Sequence, residues 1–348
     1  MADKNTISGY NQLKNDLKTG EFSRVYLFYG EETYLREHYL GELKKQVVDP
    51  AFADFNLIEL EGKGLTPDAF SDAVESLPIM SDRKLVIISD FDVYKPSAAL
   101  QPILLDLLND LPEYLVLVFY YDVLELKPDK RTKIHAALSK SACFAEFSHL
   151  NDRELITWIQ RRFRALGKEI SPENCTYLTF LCGTSMTNLI TEIEKAAAHS
   201  TLDEVKKYNI DSVCTRTLDA VIFDLTDSIT ERRFDRAIAV INDLIAQKNT
   251  EVAIFSAVLR HIERLYACKL HEQSRRPSKE LMEMLGTRSS FYVNKMSGAA
   301  RKLPLKWLRG AVTLCAETDA ALKSTSADKQ KLVELAVLQL ATTLEAVK

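Results

Sequence analysis

The chain is poor in the pieces from which phosphate, nucleophile and metal sites are usually built. Its 348 residues include only 11 glycines, and no G-x-G-x-x-G, G-x-S-x-G, H-E-x-x-H or complete G-x-x-x-x-G-K-[ST] stretch occurs. Dinucleotide loops, nucleophile elbows and helical zinc pairs are therefore missing as motifs. The six cysteines (143, 175, 182, 214, 268 and 315) form no C-x-x-C pair, and Cys175 and Cys182 have no histidine at zinc spacing. Buried thiols in a reducing compartment are the expectation. The six histidines (38, 135, 149, 199, 261 and 271) are scattered, so each is expected on a surface or a helix face. No apolar run approaches the ~18 residues of a membrane span. The opening MADKNTISGY has no apolar signal core. A cytoplasmic chain with no membrane contact, no catalytic residues, no cofactor and no metal is expected.

What is present suits folded cores. Apolar residues make up 46% of the chain and charged residues 27%. At this length there is room for two or three domains. The net charge of −4 is unevenly spread: residues 214–348 hold 21 Lys+Arg against 16 Asp+Glu, and residues 1–213 hold 24 against 33. An acidic first part and a mildly basic second part do not describe a protein that wraps DNA alone.

Over the first 147 residues short apolar runs alternate with amphipathic stretches. Strands are expected at 24–29, 56–60, 84–88, 114–120 and 143–147, and helices at 7–17, 33–47, 67–76, 98–108 and 130–139. That alternation specifies an α/β domain with a buried, mostly parallel sheet. After Phe147 the strand signal stops. Three helices are expected next: one capped by Asn151 or Asp152 and ended by Gly167, one starting at Pro172, and one over 185–198. A new segment is expected to open with Asp211 or Ser212 as cap. Helical patterns then fill 219–229, 232–247, 250–272, 278–286, 289–302, 304–324 and 328–346, punctuated by Gly286 and Gly298. The plan is an α/β domain over 1–147, a small helical domain over 148–210, and a larger helical domain over 211–348.

The stretch VYLFYGEETYLREHYL, residues 25–40, reads strand, glycine turn, helix, as a phosphate loop does. Such a loop needs glycines to bring N–H groups to phosphate, a lysine for the β/γ charge and a hydroxyl for magnesium. In the frame from Gly30, Leu35 stands for the second glycine, Arg36 for the lysine and Glu37 for the hydroxyl. Glu31 and Glu32 put negative charge where phosphates would lie. The third strand ends in Asp90-Phe91-Asp92, solvated acids with no adjacent Asp-Glu pair. The geometry of a P-loop domain is kept and its chemistry is gone.

SLPIMSDRK, residues 76–84, joins a helix to a strand. Pro78 disfavours helix at Leu77, and Ile79 and Met80 fall in a polar-flanked turn. Either the pair tucks under the sheet as local core or it fills a partner's pocket; Leu77 reads as core. Full burial of each of the two side chains is worth roughly 1.5–3 kcal/mol, and methionine adapts to such surfaces. RRFR, residues 161–164, and Arg275-Arg276 are basic and read as solvated helix faces. Arg153, Arg161 and Lys168 could equally meet acidic neighbours. Leu332, Leu335, Ala336, Leu338 and Leu340 give the last helix an apolar stripe wider than one core face needs.

The ordered set of YLFYGEETYLRE, ESLPIMSDRKLVIISD, PEYLVLVFYYDVLELKPDKRTKIHAAL, DRELITWIQRRFRALGKEI, NLITEIEKAAAHS, FDLTDSITERRFDRAIAVINDLIAQKNTEVAIFSAVLRHIERLYACKL, MEMLGTRSSFYVNKM and AETDAALKSTSADKQKLVELAVLQLA resembles the delta subunit family of bacterial DNA polymerase III, over nearly the whole chain. The resemblance implies a degenerate AAA+ module of α/β domain plus helical lid, then a helical collar. It implies a chain that binds the ring-shaped sliding clamp (the beta subunit) and springs it open without hydrolysing ATP. The implied partners are the ATPase subunits gamma/tau and delta-prime in a pentameric ring, with primer-template DNA. In this family the loop carries an apolar pair for the clamp's peptide pocket; by position the pair is Ile79 and Met80, flanked by Leu77 and Pro78. An aromatic is often expected where Met80 sits. The lid's sensor arginine is replaced by Thr187 and Asn188, and the S-R-C arginine finger by Ser141-Ala142-Cys143. The alternatives are an ATP-hydrolysing clamp-loader subunit and a delta-prime-like scaffold; the latter carries S-R-C and a zinc cysteine cluster.

Overall fold

The computed structural model describes residues 9–346 apart from 232, 275, 276, 288, 325 and 326. Arg275-Arg276 and the start of the expected first helix, Ile7, lie outside the described residues. The chain divides into two compact units between His149 and Leu150.

The first unit holds a five-stranded, all-parallel sheet in the order β2-β3-β4-β1-β5. The strands are β1 (Val25–Tyr29), β2 (Leu57–Glu61), β3 (Lys84–Ser89), β4 (Leu115–Tyr120) and β5 (Ala142–Glu146). Around them run α1 (Gly9–Thr19), α2 (Thr33–Val47), the single turn α3 (Ala53–Asn56), α4 (Pro67–Glu75), α5 (Leu100–Asn109) and α6 (Lys133–Ser141). β4 is buried throughout as LVLVFY, and β3 is buried over Lys84–Ile88. Such unbroken apolar runs are what strands covered on both faces require. Thr66 and Thr132 cap α4 and α6 by accepting the N–H of Ala69 and His135.

Among the described residues, the second unit is helical but for one short pair of strands. It comprises α7 (Asp152–Ala165), α8 (Pro172–Cys182), α9 (Met186–His199), α10 (Lys207–Val213), α11 (Leu218–Thr230), α12 (Phe234–Ala246), α13 (Glu251–Ser274), α14 (Ser278–Met284), α15 (Ser290–Arg301), α16 (Leu305–Ser324) and α17 (Lys329–Ala346). Asn151 caps α7 in a capping box with Glu154. Three expectations fail. The strand signal does not end at Phe147: β6 (Glu169–Ile170) pairs with β7 (Glu204–Val205), but two residues are too few to leave a period in the sequence. Asp211 and Ser212 lie inside α10, and the cap of the next helix is Thr217, whose hydroxyl accepts the N–H of Ala220. Gly298 lies inside α15 and interrupts nothing. No helix among the described residues is long and apolar enough to cross a membrane.

The core of α11–α17 gathers Phe223, Ile241, Phe255, Leu308 and Leu340, with Trp307 donating its indole N–H to the Leu340 carbonyl at 3.0 Å. His261 sits in this core, only 4% exposed and edge-on to Phe223 with ring centroids 4.4 Å apart. Burial, helped by the Arg264 charge, pushes its pKa down to about 3. The folded chain then refuses a proton that the unfolded chain accepts below pH about 6.5. This stability is complete above that pH and drains away as pH falls toward 3. His261→Leu is expected to remove about one proton of uptake from unfolding in this window. The fall in stability between pH 7 and pH 5 then shrinks by about 2 kcal/mol, as read from urea midpoints at the two pH values.

Candidate functional site

Gly30 closes β1 at a φ of +121°, where a Cβ would come within 2.4 Å of the Phe147 carbonyl oxygen. Glycine is required there by conformation and by space. The main chain then turns back, Glu32 N–H donating to that same carbonyl at 2.8 Å before α2 begins. Leu35 is buried, and Glu37 points to solvent. Arg36 is 3% exposed and committed inward. Its guanidinium donates to the Gly30 carbonyl at 2.7 Å, pairs with Asp122, and lies 5.0 Å from the Tyr120 ring centroid. Glu32 is buried with its carboxylate 3.0 Å from His149 Nδ1.

Asp90 is not the solvated acid expected. One of its carboxylate oxygens accepts three consecutive backbone N–H groups, from Asp122, Val123 and Leu124, at 2.9, 3.0 and 2.8 Å. Its φ of +52° places it in the left-handed region, which aspartate tolerates better than most residues. Asp122 thus joins the two: its N–H binds Asp90 and its carboxylate binds Arg36. The strand-end acid and the arginine of α2 thus both hold the loop that follows β4. The cleft beside them, about 440 Å³, is lined by Glu31, Asp122, Glu125 and Glu146 as well as Arg36.

The second feature is the tip between α4 and β3. Leu77 is 72% exposed, Ile79 47% and Met80 78%. The local-core alternative therefore does not hold for this pair, and Leu77 is not core either. α4 ends at Glu75 and Ser76 is extended, so Leu77 has left the helix face that packs on the sheet. Pro78 is half-buried between them.

The tip is braced at several points. Asn56, with no exposed surface, accepts the Ile79 N–H and donates to the Ile79 carbonyl, both at 2.8 Å. One amide thus copies the two hydrogen bonds a neighbouring strand would make. Lys84, 1% exposed, donates to the Ser76 carbonyl at 3.0 Å and to the Ser76 hydroxyl. Burial pushes its pKa down. Arg83 donates to the Gly20 carbonyl at 2.9 Å and lies over the Phe22 ring. Met80 takes a φ of +52°, which costs a non-glycine residue roughly 1–2 kcal/mol. Phe55, next to Asn56 in the chain, is 58% exposed. Neither Phe55 nor Asn56 stands out in the sequence, and the tie of Asn56 to Ile79 spans 23 positions.

The basic candidates divide. Lys168 is used internally, its ammonium donating to the Ser200 and Leu202 carbonyls at 2.9 and 2.8 Å. Arg164 pairs with Glu169, and Arg162 lies over Trp158, while Arg153 and Arg161 are exposed. Thr187 and Asn188 are exposed at the start of α9, and Ala142-Cys143 lies within β5 with Cys143 buried. On α17, Leu335 and Leu338 stay 55% and 41% exposed, whereas Ala336 and Leu340 are buried.

Residues 26–148 match the family described as DNA polymerase III, delta subunit, and residues 219–340 match DNA polymerase III delta subunit, C-terminal domain. The chain is 28% identical over 337 residues to DNA polymerase III subunit delta of Bacillus subtilis (strain 168), covering 93% of this chain and 94% of that one. Its fold is similar to the solved structure of the Bacillus subtilis DNA clamp loader delta protein. The TM-score is 0.63 at 25% sequence identity, over 96% of this chain and 99% of that one.

Proposed function

Because the chain belongs to the DNA polymerase III delta subunit family, we propose that it binds the sliding clamp through Leu77, Ile79 and Met80 and opens the ring for loading on DNA, without hydrolysing ATP. The observation that carries this is the tip itself. Three apolar side chains are held out in solvent by a buried amide, a buried lysine and a left-handed residue. A loop with no partner gains nothing from such bracing. A docking loop does, because ordering before contact lowers the cost of binding.

Binding opens the ring only if the tip favours a sprung clamp interface over a closed one, since differential affinity alone shifts that equilibrium. The Gly30–Arg36–Asp122–Asp90 knot supports a subunit that leaves ATP to others. Its arginine is already paired, and four carboxylates line the cleft where polyphosphate would have to lie. In this reading residues 148–210 act as the lid and residues 211–348 as the collar. The collar packs with gamma/tau and delta-prime in a pentamer around primer-template DNA in the cytoplasm, and the exposed Leu335 and Leu338 are part of that packing surface. The opening step is tested by the release of clamp from nicked circular DNA. The isolated chain should speed release without nucleotide; an unchanged rate would remove the opening step.

Asn56 offers a finer test. Asn56→Ala strips both partners from the Ile79 peptide without touching an apolar side chain of the tip. A hydrogen bond of this kind contributes about 1 kcal/mol net. Clamp affinity is expected to fall about tenfold, mostly through faster dissociation, as read by surface-immobilised clamp binding.

A further inference from the structure

The three helices α8, α9 and α10 bring together groups that lie far apart in sequence. Cys182 ends α8, Glu192 lies in the middle of α9, and Cys214 caps the C-terminus of α10. All three are buried, at 4%, 7% and 9% exposure. Both sulfurs and a Glu192 carboxylate oxygen lie within 4.8 Å of one another. The Cys214 thiol also reaches the Glu192 carbonyl, at 3.7 Å.

Neither the core of α11–α17 nor the docking tip includes this cluster. A carboxylate taken out of water between two sulfurs is costly unless a cation compensates it. A cation is present. The Lys195 ammonium stands 2.7 Å from Glu192 and 3.0 Å from the Thr215 hydroxyl oxygen, while the Thr215 N–H donates to the carboxylate at 2.9 Å. Lys195 is itself about one-third exposed, so the cage has a way in along its side chain.

We propose that Cys182, Cys214 and Glu192 form a site for one thiophilic divalent cation of the zinc class, in competition with Lys195 for the carboxylate. Zinc takes sulfur at about 2.3 Å and carboxylate oxygen at about 2.0–2.2 Å, which sets ligand atoms roughly 3.5–3.8 Å apart. With all three ligand atoms within 4.8 Å of one another, the cluster needs to contract by at most about 1 Å. Two thiolates and one carboxylate fill three tetrahedral positions, and water fills the fourth. Each cation bound displaces the two thiol protons to solvent, so the charge of the cluster is unchanged.

The consequence is mechanical. The loop after Cys214 runs through Thr215 to Thr217, whose N–H donates to the Leu181 carbonyl at 2.8 Å before α11 begins. A cation bridging Cys182 and Cys214 would cross-link the end of α8 to the chain entering α11. The joint between the first helices of this unit and its seven-helix core would then stiffen. This holds whether or not the tip binds a clamp.

The probe is cobalt(II), titrated anaerobically into the full-length reduced protein stripped of metal. Thiolate-bound cobalt gives sulfur-to-metal charge-transfer absorption in the near ultraviolet. One equivalent per chain should bring up that absorption, and zinc should bleach it. Cys182→Ser with Cys214→Ser should abolish it. Lys195→Met keeps all three ligands and removes the competing ammonium, so it should tighten cobalt binding about tenfold or more. Absence of the charge-transfer band, its survival in the double serine variant, or unchanged affinity in Lys195→Met would each overturn the proposal. The last arm guards against a double variant that fails to fold.

Discussion

Changing Ile79 and Met80 together to serine is expected to lower affinity for the cognate sliding clamp at least about 100-fold, with the urea midpoint unchanged. The size follows from area. Burying each side chain fully is worth roughly 1.5–3 kcal/mol, and Ile79 and Met80 begin 47% and 78% exposed. About 3 kcal/mol is therefore available to the complex, a little over a hundredfold in affinity. The fold should be indifferent, because the bracing of the tip runs through the Asn56 amide and the Ile79 main chain, which serine keeps. Leu77→Ser should add to the loss. Calorimetric titration of clamp checks both parts. Full affinity in the double variant would move the contact elsewhere on the chain.

The second large effect concerns stability. Asp90→Ala is expected to cost about 3 kcal/mol in unfolding of the first unit, and Asp90→Asn distinctly less. Alanine removes the acceptor of three N–H groups at once, and hydrogen bonds to a charged acceptor contribute about 1.5–3 kcal/mol each. Water recovers part of this, because the loop is partly open. Alanine also meets the left-handed backbone at a further penalty of roughly 1–2 kcal/mol. Asparagine keeps an acceptor oxygen and tolerates that backbone. Loosening of the 122–124 loop also frees Asp122 from Arg36, whose guanidinium is buried. Urea unfolding reported by a probe in the first unit reads this directly. If alanine and asparagine behaved alike and cost little, Asp90 would be no structural anchor.

The α/β domain was legible because buried parallel strands and amphipathic helices leave different periods. Helix 33–47 matches the expected bounds residue for residue, and each of the five strands lies within one residue of its place at the start. The departure from a P-loop motif was legible in Leu35, Arg36 and Glu37 alone. The use made of the remnants was not. That Arg36 faces Asp122 and Asp90 gathers three N–H groups depends on contacts across 86 and about 33 positions. The exposed tip was half legible: Ile79 and Met80 stood out as apolar residues in a polar turn, but Leu77 was misjudged because the helix end at Glu75 decides its direction. Asn56 looks like any strand-edge amide until its partner is known. Cys182, Glu192 and Cys214 sit 10 and 22 residues apart and match no ligand spacing, and three helices must pack before they meet.

The central claim is that this chain holds the clamp by itself through its apolar tip, with nucleotide playing no part. Binding of the isolated full-length protein to its cognate clamp, measured with and without ATP and magnesium, tests it most directly. The expected result is tight binding, equal in both conditions and lost in the Ile79→Ser, Met80→Ser variant. No binding, or binding that appears only with ATP, would contradict the account.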